Sequence, residues 1–111
     1  MVCLDTDVLV GFLGGDGKAA EVVRRLEEES MTPAITTITA YELLKGALIS
    51  SNQAGNPETV RRLIESLNVL PLTNESCRLG AAVYAELRVN GKVSGEFNVL
   101  IAGIVLENGE R

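Results

Sequence analysis

The chain contains no histidine. That absence excludes every mechanism built on a Ser-His, Cys-His or His-His arrangement, and zinc sites of the usual imidazole kind with it. Any chemistry must run on carboxylates, amides, hydroxyls or lysine, or through a metal held by oxygen. Cysteine is scarce: Cys3 and Cys77 stand at no metal-ligand spacing and read as buried, reduced thiols. No long hydrophobic run is present. The longest nearly apolar stretch, Phe97 to Leu106, is too short to span a bilayer and contains Asn98. The first residues carry Asp5 and no basic segment, so they do not read as a signal peptide. These features predict a cytoplasmic protein with no membrane partner. An excess of base is missing as well: 15 acids face 10 bases, for a net charge of −5. Bulk attraction to nucleic acid is therefore excluded, and any such binding must use a local site. The adjacent pairs Arg24-Arg25 and Arg61-Arg62 read as solvated helix faces.

What is there is the composition of a globular protein. Of 111 residues, 46% are apolar and 23% charged, which supports one domain over 1–111 with a small core and fits neither disorder nor coiled coil. Val2-Cys3-Leu4 predicts a short buried strand ending at Asp5. Thr6 to Leu13 suits a short buried helix stopped by Gly14-Gly15, and Asp16 then caps a helix from Gly17 to about Met31, with Ala19, Ala20, Val23 and Leu26 inward. Pro33 opens a second strand over Ala34 to Ile38, and Thr39 to Glu42 has the pattern of a capping box for the helix carrying Leu43, Leu44, Ala47 and Leu48. After the polar stretch Ser50 to Asn56, Asn56-Pro57 starts a helix with Val60, Leu63, Ile64 and Leu67 on one face. A third strand spans Val69 to Leu72. The next helix runs from about Asn74 to Val89 with Leu79, Ala82, Val83 and Leu87 inward, ended by Asn90-Gly91. The last helix covers Glu96 to Glu107. Its Val99–Leu106 segment is apolar all round, which predicts burial, and Asn108-Gly109 ends it. Alternating strands and helices predict an α/β fold with a parallel sheet covered on both faces.

In open parallel sheets, sites form at the carboxyl ends of strands. Asp5 follows the first strand and Asp7 lies two residues on. Glu42 sits a helical turn past the second strand, and Asn98 begins the last helix. Clustered carboxylates repel one another and are usually kept to hold a hard cation such as Mg²⁺ or Mn²⁺. Such an ion acidifies water and offsets charge on a scissile phosphate, which makes phosphodiester hydrolysis the natural chemistry for a site without histidine.

Three segments then carry a resemblance: Val2-Cys-Leu-Asp-Thr-Asp-Val-Leu-Val10, Thr36-Thr-Ile-Thr-Ala-Tyr-Glu-Leu-Leu-Lys-Gly46, and Gly95-Glu-Phe-Asn-Val-Leu-Ile-Ala-Gly-Ile-Val-Leu-Glu-Asn-Gly109. In order and spacing they resemble the PIN-domain family, and more narrowly the VapC-type toxins of prokaryotic toxin–antitoxin pairs. The resemblance implies a three-layer α/β/α fold with a short parallel sheet, and a metal-dependent ribonuclease that is often dimeric and held in check by an antitoxin. It carries the first family acid to Asp5 and the second to Glu42, with Asp7 behind them. The third acid falls on Asn98, whose amide keeps the shape and one ligating oxygen but loses the charge. Asp5, Glu42 and Asn98 are thus the expected catalytic and metal residues. Glu96 is a poor substitute, because residues two apart on a helix do not share a face. Family members also continue into a further strand bearing a fourth acid, and this chain is short of both, which would leave strand one less covered.

Each of these residues also has a purely structural reading. Asp5 or Asn98 would cap a helix, Glu42 would complete a capping box, and Asp7 would complement a helix dipole. Two functions follow for test: a Mg²⁺- or Mn²⁺-dependent endoribonuclease, or a catalytically degenerate PIN domain that binds antitoxin or RNA. A phosphotransfer domain fits poorly, since the only aspartates are Asp5, Asp7 and Asp16, and Gly14 to Gly17 lacks the lysine and spacing of a phosphate-binding loop.

Overall fold

Three short strands, β1 (Val2–Cys3), β2 (Pro33–Thr36) and β3 (Asn68–Leu70), form a parallel sheet in the order β1-β2-β3. The computed structural model describes residues 2–4, 9, 17–29, 33–49 and 56–109. β2 is central. It sets Val2 beside Pro33 and Cys3 beside Ala34, and on its other side sets Ile35 beside Val69 and Thr36 beside Leu70. The Leu4 N–H donates to the Ala34 carbonyl at 2.7 Å, carrying the β1 ladder to the residue before Asp5. Asp5 and Asp7 themselves lie outside the described residues, as do the Asp16 cap, the inward side chains assigned to the first long helix, and the Ser50–Gly55 break.

Among the described residues the sheet is accompanied by the helices α1 (Gly17–Glu28), α2 (Thr37–Ile49), α3 (Pro57–Glu65), α4 (Asn74–Val89) and α5 (Glu96–Glu107). Strand alternation sorts the core into two clusters. On one face Ile35 packs with Leu4, Leu9, Leu43, Ala47 and Val60, joined by the half-buried Val69, Leu63 and Ile64. On the other, Ala34 and Leu70 meet Ile104 of α5. Helices therefore cover both faces, and the α/β/α layering expected above is the observed architecture. Of the Thr6–Leu13 segment expected to be a short helix, only Leu9 is described; it is helical and 1% exposed.

Helix boundaries follow their caps. Asn56 accepts from the Thr59 N–H at 2.9 Å, with Pro57 at the first helical position. Gly91 (φ 72°) and Gly109 (φ 71°) follow the C-caps Asn90 and Asn108 in the left-handed region that only glycine enters freely. Two strand limits differ from expectation. β2 stops at Thr36, not Ile38, because the Thr36 hydroxyl accepts from the Thr39 N–H at 3.0 Å and donates to the Thr39 hydroxyl at 3.2 Å. Thr36 is the capping residue, so the expected box at Thr39–Glu42 does not form. β3 ends at Leu70 because Pro71 has no N–H to continue the ladder.

The closest helix pair is α4 with α5. A Cβ on Gly103 would lie 2.0 Å from the Ser76 carbonyl oxygen and 2.8 Å from the Gly80 nitrogen, and one on Gly80 would lie 2.7 Å from the Val99 carbonyl oxygen. These approaches set Ser76 by Gly103 and Gly80 by Val99, so the helices run antiparallel with their backbones almost touching. Ser76, fully buried, donates to the Thr73 carbonyl at 2.9 Å and accepts from the Thr73 N–H at 2.6 Å. Thr73 in turn accepts from the Ser76 N–H at 3.1 Å and donates to Glu107 at 2.7 Å, tying the start of α4 to the end of α5. The expectation that α5 is buried all round is only half met. Val99, Gly103 and Ile104 are buried, while Phe97 and Leu106 are exposed. Ala82 of α4, expected inward, also faces solvent.

Candidate functional site

The carboxyl ends of β1 and β2 point the chain toward one edge of the sheet, and the expected site residues can be followed from there. β2 runs directly into α2 through the Thr36 cap, and Thr37 accepts from the Leu72 N–H at 3.1 Å, fixing that junction to the chain leaving β3. Glu42 then falls in the second turn of α2, half-buried. With Thr36 as the cap, Glu42 does not stand at the third helical position that a capping box requires.

Asn98 is the third residue of α5, and its side chain is exposed. Gly95, not Asn98, is the N-cap, and no side chain caps it, so the capping reading of Asn98 fails. The Asn98 amide nitrogen lies 3.7 Å from the point where a Cβ on Gly95 would sit. Among the described residues, Gly95, Glu96, Phe97 and Asn98 line a surface cavity of about 300 Å³. The helix begins at Glu96, so 96–98 is not loop, and the helical spacing that argues against Glu96 as a substitute for Asn98 is present.

α2 and α5 meet through aromatic rings. The Tyr41 and Phe97 rings stand edge to face at 87°, centroids 5.6 Å apart, and the Lys45 ammonium lies 5.3 Å from the Tyr41 centroid and 5.8 Å from that of Phe97. These rings are the sequence neighbours of Glu42 and Asn98, so the contact brings the two helix turns that carry the expected ligands side by side. Sequence reasoning passed over Tyr41, Lys45 and Phe97. The available signal was the i, i+4 spacing of Tyr41 and Lys45 around Glu42, which places them on one helix face.

Glu42 offers carboxylate oxygens and Asn98 a carboxamide oxygen, hard donors of the kind Mg²⁺ or Mn²⁺ takes in preference to a softer ion. Among the described residues no three acids or cysteines gather as a metal cluster. Arg24, Arg61 and Arg78 hold Glu21, Glu58 and Glu75 below the usual carboxylate range through hydrogen bonds along their own exposed helices. Arg61 also bonds Glu65, and Arg62 reaches Glu58 at 3.3 Å, so the Arg61-Arg62 pair is the solvated helix face expected of it.

The chain is an α/β/α protein built on a parallel sheet, with Asp5 and Glu42 following its first two strands in the sequence. A family model described as the PIN domain matches residues 2–110, and the chain belongs to the PIN domain family, whose members are nucleases. Solved structures agree. The chain is similar to VapBC2 from Rickettsia felis, solved with a promoter DNA fragment, at 20% identity and a TM-score of 0.85, covering 99% of this chain and 84% of that one. It is similar to DNA-bound VapBC from Salmonella typhimurium at 26% identity and a TM-score of 0.84, covering 99% and 83%. FitAcB from Neisseria gonorrhoeae gives 20% identity and a TM-score of 0.82, covering 99% and 84%. A search of curated proteins finds no match. No helix among the described residues is long and apolar enough to cross a membrane.

Proposed function

We infer that this protein is a metal-dependent endoribonuclease of the VapC toxin type, working in the cytoplasm and hydrolysing RNA phosphodiester bonds, with Asp5, Glu42 and Asn98 as the metal-binding and catalytic residues and Asp7 behind them. What carries the reading is the PIN match over nearly the whole chain, supported by the contact of Tyr41 with Phe97, which adjoins the turns bearing Glu42 and Asn98. A bound Mg²⁺ or Mn²⁺ would supply positive charge against the scissile phosphate and acidify the attacking water. The chain's own part is to hold donors at fixed places. Glu42 is set by the Thr36 cap and the buried Leu43 beside it, and Asn98 by the anchoring of α5 through Val99. Asn98 contributes an oxygen without a charge, so this site should hold its ion more weakly than one with three acids.

The neighbouring complexes support an antitoxin as partner, and self-association as a homodimer is part of the same reading. Leu44, Leu48 and Ile49 of α2 are exposed, Leu48 at 73% and Ile49 at 81%, a surplus of apolar surface that suits a protein contact. The amide at Asn98 favours a second reading, a degenerate PIN domain that binds without cutting. Calorimetry with Mn²⁺ separates the two. The nuclease reading expects binding that tightens roughly tenfold or more in Asn98→Asp, with RNA cleavage by that variant abolished by Glu42→Gln. Absence of both Mn²⁺ binding and cleavage, even in Asn98→Asp, would leave the binding module.

A further inference from the structure

The cluster of Tyr41, Lys45 and Phe97 is not explained by the fold. Two of the chain's four aromatic residues meet on its surface, Tyr41 at 50% exposure and Phe97 at 38%, although burial is what large rings normally gain from. The chain is acidic, and the Arg24, Arg25, Arg61, Arg62 and Arg78 side chains are ion-paired to glutamates on their own helices. Lys45 differs in place: its ammonium lies over both rings, on the turn that follows Glu42. Exposed rings with a cation beside them are the recurring means of holding a single strand, with a base stacked on the ring and a phosphate against the charge. An acidic chain that cannot attract RNA by bulk charge needs such a local element.

We propose that Tyr41, Phe97 and Lys45 form a nucleobase-stacking platform that seats single-stranded RNA beside the Glu42–Asn98 edge, Tyr41 taking a base, Phe97 supporting it edge to face, and Lys45 the adjoining phosphate. The platform takes its substrate class from the ribonuclease reading above. It also assigns the rings a substrate-binding role in place of a purely structural one between α2 and α5.

The chain has no tryptophan and two tyrosines, so Tyr84→Phe leaves Tyr41 as the sole emitter. A short 2′-O-methyl RNA, which resists cleavage, is titrated into that protein with Mn²⁺ present. Saturable quenching of Tyr41 emission is expected. Tyr41→Leu and Phe97→Leu should each weaken binding of the labelled oligonucleotide by about tenfold, and Lys45→Gln should lower the slope of affinity against salt by about one phosphate contact. Thermal melts of the variants separate loss of the platform from loss of the fold. Binding without quenching, unchanged affinity in the folded variants, or no binding at all overturns the platform. So does weakened self-association of the variants, followed by sedimentation, with RNA binding intact; the patch would then be a protein interface. Cleavage of unmodified RNA is followed in parallel. Variants that cleave with unchanged KM remove the platform and leave the nuclease standing. Quenching by a protein that never cleaves, even as Asn98→Asp, does the reverse.

Discussion

From Val99 onward, α5 lies against α4 backbone to backbone through Gly80 and Gly103, and drives Ile104 into the sheet. Along its first turn the same helix presents Glu96, Phe97 and Asn98 to an open cavity and to the aromatic face of α2. The residues differ in kind as well as in place. Where the helix meets α4 and the sheet, they are small or aliphatic, and Gly103 has no room for a Cβ. Where it borders the candidate site, they are charged, amide or aromatic, and exposed. A helix held rigidly at one end can present its other end with little loss of position, which is how a site is kept in register when its donors come from distant parts of the chain.

The contrast yields graded expectations. The largest effect belongs to Gly103→Ala, whose new methyl would collide with backbone. The helices must part, at a cost of at least about 3 kcal/mol in urea unfolding. Gly46→Ala breaks or sharpens the comparison from the other side: nothing lies within 4 Å of a Cβ there, on the helix bearing Glu42, so the same substitution should stabilise by about 0.5–1 kcal/mol. If both glycines behaved alike, the argument from close approach would fail. Ile104→Ala should cost about 2–5 kcal/mol, as for a fully buried aliphatic side chain. Thr73→Ala, which loses the α4 cap and the tie to Glu107, should cost about 1 kcal/mol.

At the open end the sign reverses. Asn98→Asp puts a negative charge in the first turn of α5, where the helix dipole favours it, and without metal should raise stability by about 0.3–1 kcal/mol. A loss of stability there would mean that Asn98 is a structural residue after all. The smallest effect is expected from the surface ion pairs. Glu21, Glu58 and Glu75 are held below the usual range by their arginine partners, so what they contribute is present above about pH 4.3 and fades as the pH falls through their lowered values. These groups are solvated, and Tm at neutral pH should scarcely change on adding salt.

Helix ends were the most legible part of the fold, because caps are local chemistry. Asn56-Pro57, Asn90-Gly91 and Asn108-Gly109 each carry their own stop or start signal, and α5 spans Glu96–Glu107 as its pattern predicts. The threonine run was ambiguous. Thr36 and Thr39 both offer a hydroxyl three residues before a backbone N–H, and only the point at which the β2–β3 ladder ends decides which one caps. That choice moved Glu42 from a capping position to the second turn of α2. The exposure of Phe97 and Leu106 was equally hidden, since an apolar run reads the same whether its partner is its own chain or another.

The sequence by itself determined that no histidine chemistry is available, that nucleic acid cannot be held by bulk charge, and that strands and helices alternate around a parallel sheet. Those are properties of composition and of periods within a few residues. Only the tertiary structure decided that Gly80 and Gly103 weld α4 to α5, and that Tyr41 and Lys45 of one helix meet Phe97 of another beside Glu42 and Asn98. The first contact joins positions 80 and 103 and the second positions 41 and 97, and no local pattern encodes which distant side chain will fill the space left by a missing Cβ or close over an exposed ring.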